Sequence, residues 1–309
     1  MIQSDALERL DLATLLQEPE FLDAVEPDIH LASLLAQLSE VLPERARASA
    51  RRVVRAVIEE IERRIKQRTI ATVSSAINRA DRTRRPRPSD IDWNRTIAAN
   101  LRHYLPEHRT VVPHRLVGHG RRRTGVQREV IVALDQSGSM AESVVFGAIF
   151  AAVLATMPSL RTHLVVFDTA VVDLTELLDD PIDLIFATQL GGGTDINAAV
   201  TYCSQLVTRP RDTILVLVSD LFEGGDRAAL IRRVRALHTS GVAVLALLAL
   251  DDSGAPVFDH DLAGALAELG IAAFACTPDV FPEVLETAIN GGDLREWSQA
   301  YAAQEAQQP

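Results

Sequence analysis

The chain has 309 residues, of which 47% are hydrophobic and 24% charged, with a formal net charge of −11. That length and apolar content suffice for one sizeable α/β core plus a second, smaller unit, so a soluble globular protein is expected. Two cysteines, Cys203 and Cys276, are too few and too far apart for a disulfide framework or a zinc site, and both read as small buried residues in a reduced compartment.

The chain starts MIQSDALERLD, with acidic residues and without the apolar run of a secretory signal. Residues 1–80 read as helical, with apolar positions at helical spacing. Between Glu44 and Arg79, Val54, Ile58, Ile61 and Ile65 fall on one face, while Arg51, Arg55, Glu59, Glu62, Arg63 and Lys66 largely decorate the others. Packing within a small helical bundle is expected; a docking helix for a partner is the other reading.

Residues 81–128 form a basic connecting segment. Prolines and glycines in RTRRPRPSDIDW and VVPHRLVGHGRRRTG interrupt any long helix, leaving room for a short one from Asp92 to Leu105. Arg82 to Arg128 carries twelve arginines beside a markedly acidic stretch, and the simplest consequence is that the two attract each other. Few aromatics and no recognisable nucleic-acid module argue against a nucleic-acid partner. His103, His108, His114 and His119 match no zinc spacing.

From residue 129 to 290, apolar strand runs alternate with helical patterns. This predicts an α/β domain, a Rossmann-like, doubly wound, mostly parallel six-stranded sheet preceded by the α-helical N-terminal region. Strands are predicted at Val130 to Leu134, His163 to Phe167, Val171 to Leu174, Thr213 to Val218, Val242 to Ala249 and Ile271 to Ala275, the third an antiparallel edge. Helices are predicted at Glu142 to Thr156, Asp195 to Leu206, Asp226 to His238, His260 to Leu269 and Val280 to Ile289. The longest apolar run, Val144 to Met157, is about three-quarters of the ~20 residues a membrane span needs, so no membrane segment and a cytoplasmic setting are expected. Residues 291–309 are left as a C-terminal tail.

The stretch VIVALDQSGSM carries the chemistry. Its strand delivers Asp135, Ser137 and Ser139 into one tight turn, and three side-chain oxygens on alternate residues can meet at one small cation. Two further oxygens are expected from other loops: Thr194 in LGGGTDI and Asp220 in TILVLVSD. Asp135 ends the first strand and Asp220 follows the fourth. In a doubly wound sheet of order 3-2-1-4-5-6 those strands are neighbours and the ligand crevice opens between them. Each piece alone has a plainer reading, as a helix cap, a flexible turn or a loop start. Their conjunction, in this order and at strand ends, carries the metal reading. Asp168, also at a strand end, reads as a turn residue.

This set resembles the metal-ion-dependent adhesion site of von Willebrand factor type A (VWA) domains, with Asp-x-Ser-x-Ser, a distant Thr and a distant Asp all present. The GGGTD form of the Thr loop looks most like the bacterial CoxE-like members. The resemblance implies Mg2+, with Mn2+ or Ca2+ as alternatives, held by Asp135, Ser137, Ser139, Thr194 and Asp220. Asp135 and Asp220 would act partly through water, with Asp195 behind them. It also implies a coordination position left for an Asp or Glu of a protein partner, and partnership with a MoxR-type AAA+ ATPase in maturation or remodelling of client proteins.

A non-enzymatic, metal-dependent protein-binding adaptor is therefore expected. The enzymatic alternative is a haloacid-dehalogenase-like phosphatase, which needs a second carboxylate two residues after the first Asp; Ser137 stands there. No GxSxG elbow and no GK[ST] loop is present, which leaves α/β-hydrolase and P-loop ATPase chemistry without support.

Overall fold

The computed structural model describes residues 27–38, 42–80, 82–83, 91–119, 128–137, 140–188, 192–248, 257–275 and 280–305, with isolated positions between 18 and 25; Ser139, Gly191 and Cys276 lie outside them. The chain enters through helix α1 (Ile29–Gln37), capped by the Asp28 carboxylate on the Leu31 N–H, and a 37-residue helix α2 (Glu44–Ala80). At 1.5 Å per residue α2 is about 55 Å long.

In the basic segment the expected short helix is α3 (Trp93–Ala99), started by the Asp92 cap. It stops earlier than its apolar spacing suggests because the buried Asn100 side chain turns to other work. Its Oδ1 accepts the His114 and Arg115 N–H groups, and its Nδ2 donates to the Arg115 carbonyl. The chain then folds back through a two-residue antiparallel ladder, Tyr104–Leu105 against Thr110–Val111. Trp93, Ile97 and Leu101, one face at helical spacing, stay exposed.

The main sheet contains β1 (Arg128–Asp135), β2 (Leu160–Phe167), β3 (Val171–Asp173), β4 (Thr213–Val218), β5 (Ala243–Leu248) and β6 (Ala272–Ala275). The spatial order is β6-β5-β4-β1-β2-β3, parallel throughout except for the antiparallel edge β3. This is the expected doubly wound order. β2 begins at Leu160, three residues before its apolar run, because its first residues pair with Arg128–Val130 through main-chain bonds that do not depend on side-chain polarity.

Strand alternation splits the core in two. Val130, Val132 and Leu134 face α4 (Ala141–Ala155), α5 (Pro181–Ala187) and α9 (Phe281–Ile289). Ile131 and Ala133 face α6 (Ile196–Leu206), α7 (Arg227–Ser240) and α8 (His260–Glu268). The short helix α5 was not expected. Its signal is Asp180-Pro181, in which the carboxylate caps the Ile182 N–H and the proline occupies the first turn. The tail carries a further helix, α10 (Leu294–Glu305), whose Trp297 packs on Phe274 of β6 and stacks on Tyr301, adding to the apolar cluster on that face of the sheet.

The α2 stripe of Val54, Ile58, Ile61 and Ile65 is buried as its spacing predicts, in the same apolar cluster as Val130 and Leu134. Its partners include α4 and α9 of the α/β unit as well as α1, so among the described residues the helical packing of α2 is shared with that unit. The reason lies in α4: AESVVFGAIFAAVLA is apolar nearly all round, and such a helix must be buried on both sides. One side of α4 lies on the sheet, where a Cβ at Gly147 would come within 2.6 Å of Leu134. The other is covered by α1 and α2.

Candidate metal centre

Asp135 closes β1 and is completely buried. Both its oxygens are held: Oδ1 accepts the Ser137 N–H at 3.0 Å, and Oδ2 accepts the Ser219 hydroxyl at 2.7 Å. Ser137 is buried beside it. β1 and β4 are paired up to Leu134 and Val218, so Asp135 and Ser219 continue the same register. Asp220, one residue on, is also buried. Its Oδ1 accepts the Phe222 N–H at 3.2 Å and its carbonyl accepts the Asp259 N–H at 2.9 Å.

Thr194 reaches the same crevice from the loop before α6. Its carbonyl accepts the Gly224 N–H at 2.8 Å, and the next N–H, of Asp195, donates to the Asp168 carbonyl at 2.7 Å. A Cβ at Gly224 would lie 2.7 Å from the Thr194 oxygen, so this approach requires glycine. Gly192 has φ +105°, a conformation open to glycine. Asp195 caps α6, its Oδ1 accepting the Ala198 N–H at 2.7 Å. Asp168 has the expected turn role through the Ala170 N–H.

Of the sequence-derived residues, Asp135, Ser137 and Asp220 sit together at the carboxyl ends of the two central strands. Thr194 is tied to the same segment through Gly224, and Ser139 lies outside the described residues. Two contributors escaped the sequence reading. Ser219 holds Asp135, and its signal is position, since it directly follows the β4 run and aligns with Asp135. Glu223 braces the Thr194 side, its Oε1 accepting the Gly225 N–H at 2.7 Å and its Oε2 the Asn197 N–H at 3.2 Å. Nothing in the local sequence distinguishes it from a solvated loop glutamate.

Burial pushes the Asp135 carboxyl above its ordinary range; the Ser137 N–H and the Ser219 hydroxyl act against this, and the charge of Asp220 adds to it. Burial likewise raises Glu223, helped by the charge of Asp195. Among the described residues no arginine or lysine forms an ion pair with Asp135. A bound cation would offset this crowding of negative charge. Two carboxylates with several hydroxyls, at the open end of a parallel sheet, fit a hard divalent ion that keeps some of its waters. Among the described residues no cluster of three or more His, Cys, Asp or Glu forms, so an all-carboxylate cage or a zinc-type site is not built there. His103 and His114 of the basic segment stack at 5.6 Å.

A 3-2-1-4-5-6 sheet with an antiparallel edge is the sheet of a VWA-type α/β domain. The chain belongs to the family of VWA domain containing CoxE-like proteins, whose model matches residues 61–285. That match begins inside α2, so the second half of the long helix and the sheet fall within the matched region. The chain is 36% identical over 278 residues to YehP, an uncharacterized protein of Escherichia coli strain K12, covering 90% of this chain and 74% of YehP. Among solved structures, it is similar to an aerotolerance-related membrane protein from Bacteroides fragilis (16% identity, 53% of this chain and 99% of that one, TM-score 0.42). It is also similar to a von Willebrand factor type A protein from Catenulispora acidiphila (13% identity, 53% and 42%, TM-score 0.39). VWA domains are in general non-catalytic. Among the described residues no helix is long and apolar enough to cross a membrane.

Proposed function

We propose that this chain is a divalent-metal-dependent protein-binding adaptor. In this reading Asp135, Ser137, Ser139, Thr194 and Asp220 hold Mg2+, or alternatively Mn2+ or Ca2+, and the ion accepts an Asp or Glu side chain from a partner protein. The observation that carries it is the buried Asp135 carboxylate, pinned on both oxygens beside Asp220 and without a cationic partner among the described residues. Such a group is costly unless a cation joins it.

The chain's own residues would do the positioning. Ser137 N–H and Ser219 fix the orientation of Asp135, Gly224 and Asp168 hold the Thr194 loop, and Asp259 anchors the Asp220 segment. The bound ion would supply an electrophilic point for a carboxylate, because few formal charges contact it directly. Family membership supports working with other proteins, and a MoxR-type AAA+ ATPase acting on client proteins in the cytoplasm is the partnership we propose.

The test is a calorimetric titration of Mg2+ into the metal-free chain, run beside Asp135→Ala. Binding in the wild type that disappears in the variant supports the site. Equal heats in both proteins would place any ion elsewhere and remove the basis of the reading.

A further inference from the structure

Residues 91–117 are built inside out. The buried side chains of this stretch are two polar ones, Thr96 and Asn100. They hold it together. The Thr96 hydroxyl donates to the Val117 carbonyl and accepts the Val117 N–H, both at 3.0 Å, and the Asn100 amide joins the end of α3 to His114 and Arg115. The Asp92 N–H adds a bond to the same Val117 carbonyl. Apolar side chains are left out of this fold. Six of the nine large apolar residues exposed among the described residues fall between positions 93 and 112: Trp93, Ile97, Leu101, Tyr104, Leu105 and Val112.

Backbone geometry groups them. Trp93, Ile97 and Leu101 follow a four-residue step along α3 and the turn after it, a ridge about 12 Å long. The Tyr104 N–H bonds to the Leu101 carbonyl at the end of that ridge, and Tyr104 pairs across the ladder with Val111, next to Val112. Trp93 is 55% and Leu101 61% exposed. Single exposed apolar residues are ordinary, whereas a group containing tryptophan and tyrosine on a polar-braced frame has the composition of a protein-binding surface. Four of the six are aliphatic, which offers a nucleic-acid base nothing to stack on.

Charge defines the occupant. Arg95, Arg102, Arg109 and Arg115 stand against Asp92 and Glu107, and among the described residues only Arg95 forms an ion pair, with the neighbouring Asp92. Among the described residues the side-chain hydrogen bonds and ion pairs of the stretch close within it, so its arginines are not engaged by the chain's own acidic α/β unit. Like charges also oppose the pairing of two such units face to face. We propose that Trp93, Ile97 and Leu101 form a docking ridge for an amphipathic helix of another protein, one that carries acidic residues beside its apolar stripe. A ridge with a four-residue step seats in the groove between the ridges of a second helix, and the acidic residues complement Arg102, Arg109 and Arg115. This surface is independent of the metal crevice and of the reading given to it.

The probe is a phage-displayed library of short helix-forming peptides, selected on the full chain and, in parallel, on the triple variant Trp93→Ala, Ile97→Ala, Leu101→Ala. All three residues are exposed, so the variant keeps its fold. Peptides enriched by the wild type alone are expected to be rich in Asp and Glu, with apolar residues three and four apart. A synthetic copy of the most enriched one, followed by fluorescence anisotropy, should bind the triple variant about tenfold more weakly, equivalent to ~1.4 kcal/mol. Arg102→Glu, Arg109→Glu, which leaves the ridge intact, should weaken it by a similar factor. Affinity should fall with added salt and be the same in Mg2+ and in EDTA. Absence of ridge-dependent peptides, or ridge-dependent peptides that are basic or uncharged, would overturn the proposal. A ridge-dependent dimer in sedimentation velocity would assign the surface to a second copy, and ridge-dependent flotation with phosphatidylcholine–phosphatidylserine vesicles would assign it to a lipid surface; either overturns it. Loss of peptide binding in EDTA would move the ligand to the crevice and overturn it as well, whereas failure of Mg2+ to bind would remove the metal reading and leave the ridge standing.

Discussion

Removing the Ser219 hydroxyl takes a partner from two buried groups at once. It donates to Asp135 Oδ2 at 2.7 Å and accepts the Leu221 N–H at 2.9 Å. A hydrogen bond to a charged group contributes about 1.5–3 kcal/mol, and an orphaned buried N–H costs about 1–3 kcal/mol. Partial relaxation keeps the sum below the simple total, so Ser219→Ala should lose about 2–4 kcal/mol. For a chain of this length each kcal/mol moves the midpoint by about 2 °C, which predicts a melting temperature lower by about 4–8 °C. Differential scanning calorimetry of the metal-free protein reads it directly. The same substitution frees the carboxylate to rotate, and loss of an outer hydrogen bond to a ligand typically costs about 10–100-fold in metal affinity. A melting temperature within about 1 °C of wild type would mean that the Ser219 hydroxyl bonds are not formed in solution, and that Asp135 is oriented by something else.

Asp135→Asn should separate stability from binding. It removes a buried charge crowded by Asp220, so the metal-free protein is expected to melt higher at pH 7 while calorimetry detects no Mg2+ uptake. The pH dependence has a definite sign. Because the folded Asp135 pKa is raised, its contribution to stability is full below the unfolded value and is lost as pH rises through the folded value. Protons compete with the ion, so the rise in melting temperature produced by Mg2+ should shrink as pH falls through that raised pKa, and thermal scans from acid to neutral pH check it. In the core, Ile58→Ala is expected to cost about 2–4 kcal/mol. Because α2 shares the sheet unit's apolar cluster, the variant should still melt in a single transition; a separate early transition of the N-terminal helices would contradict that shared core.

Local pattern was a good guide where one periodicity had a single use. The parallel strands lie between two helical layers, so they read as continuous apolar runs, and each expected strand of the sheet is found. The same holds for the α2 stripe, whose 4-3-4 spacing can serve only one buried face. Pattern was a poor guide where a side chain far away in sequence decided the outcome. Helix α3 ends because Asn100 is needed by His114 and Arg115, and the β2 start is extended by its ladder with β1.

The order of residues along the chain determined the sheet, its helical layers and the placement of Asp135, Thr194 and Asp220 at strand ends or on a glycine-bearing loop. These follow from alternation, run length and turn chemistry, all of which act within a few residues. Only the tertiary structure decided that Ser219 holds Asp135, that Gly224 grips the Thr194 loop, that Glu223 braces its far side, and that α2 lies against the α/β unit. Those contacts join segments far apart in sequence, and their energy comes from satisfying buried polar groups and covering apolar faces in three dimensions. A serine, a glycine or a glutamate carries no local mark of the partner that the fold will bring to it.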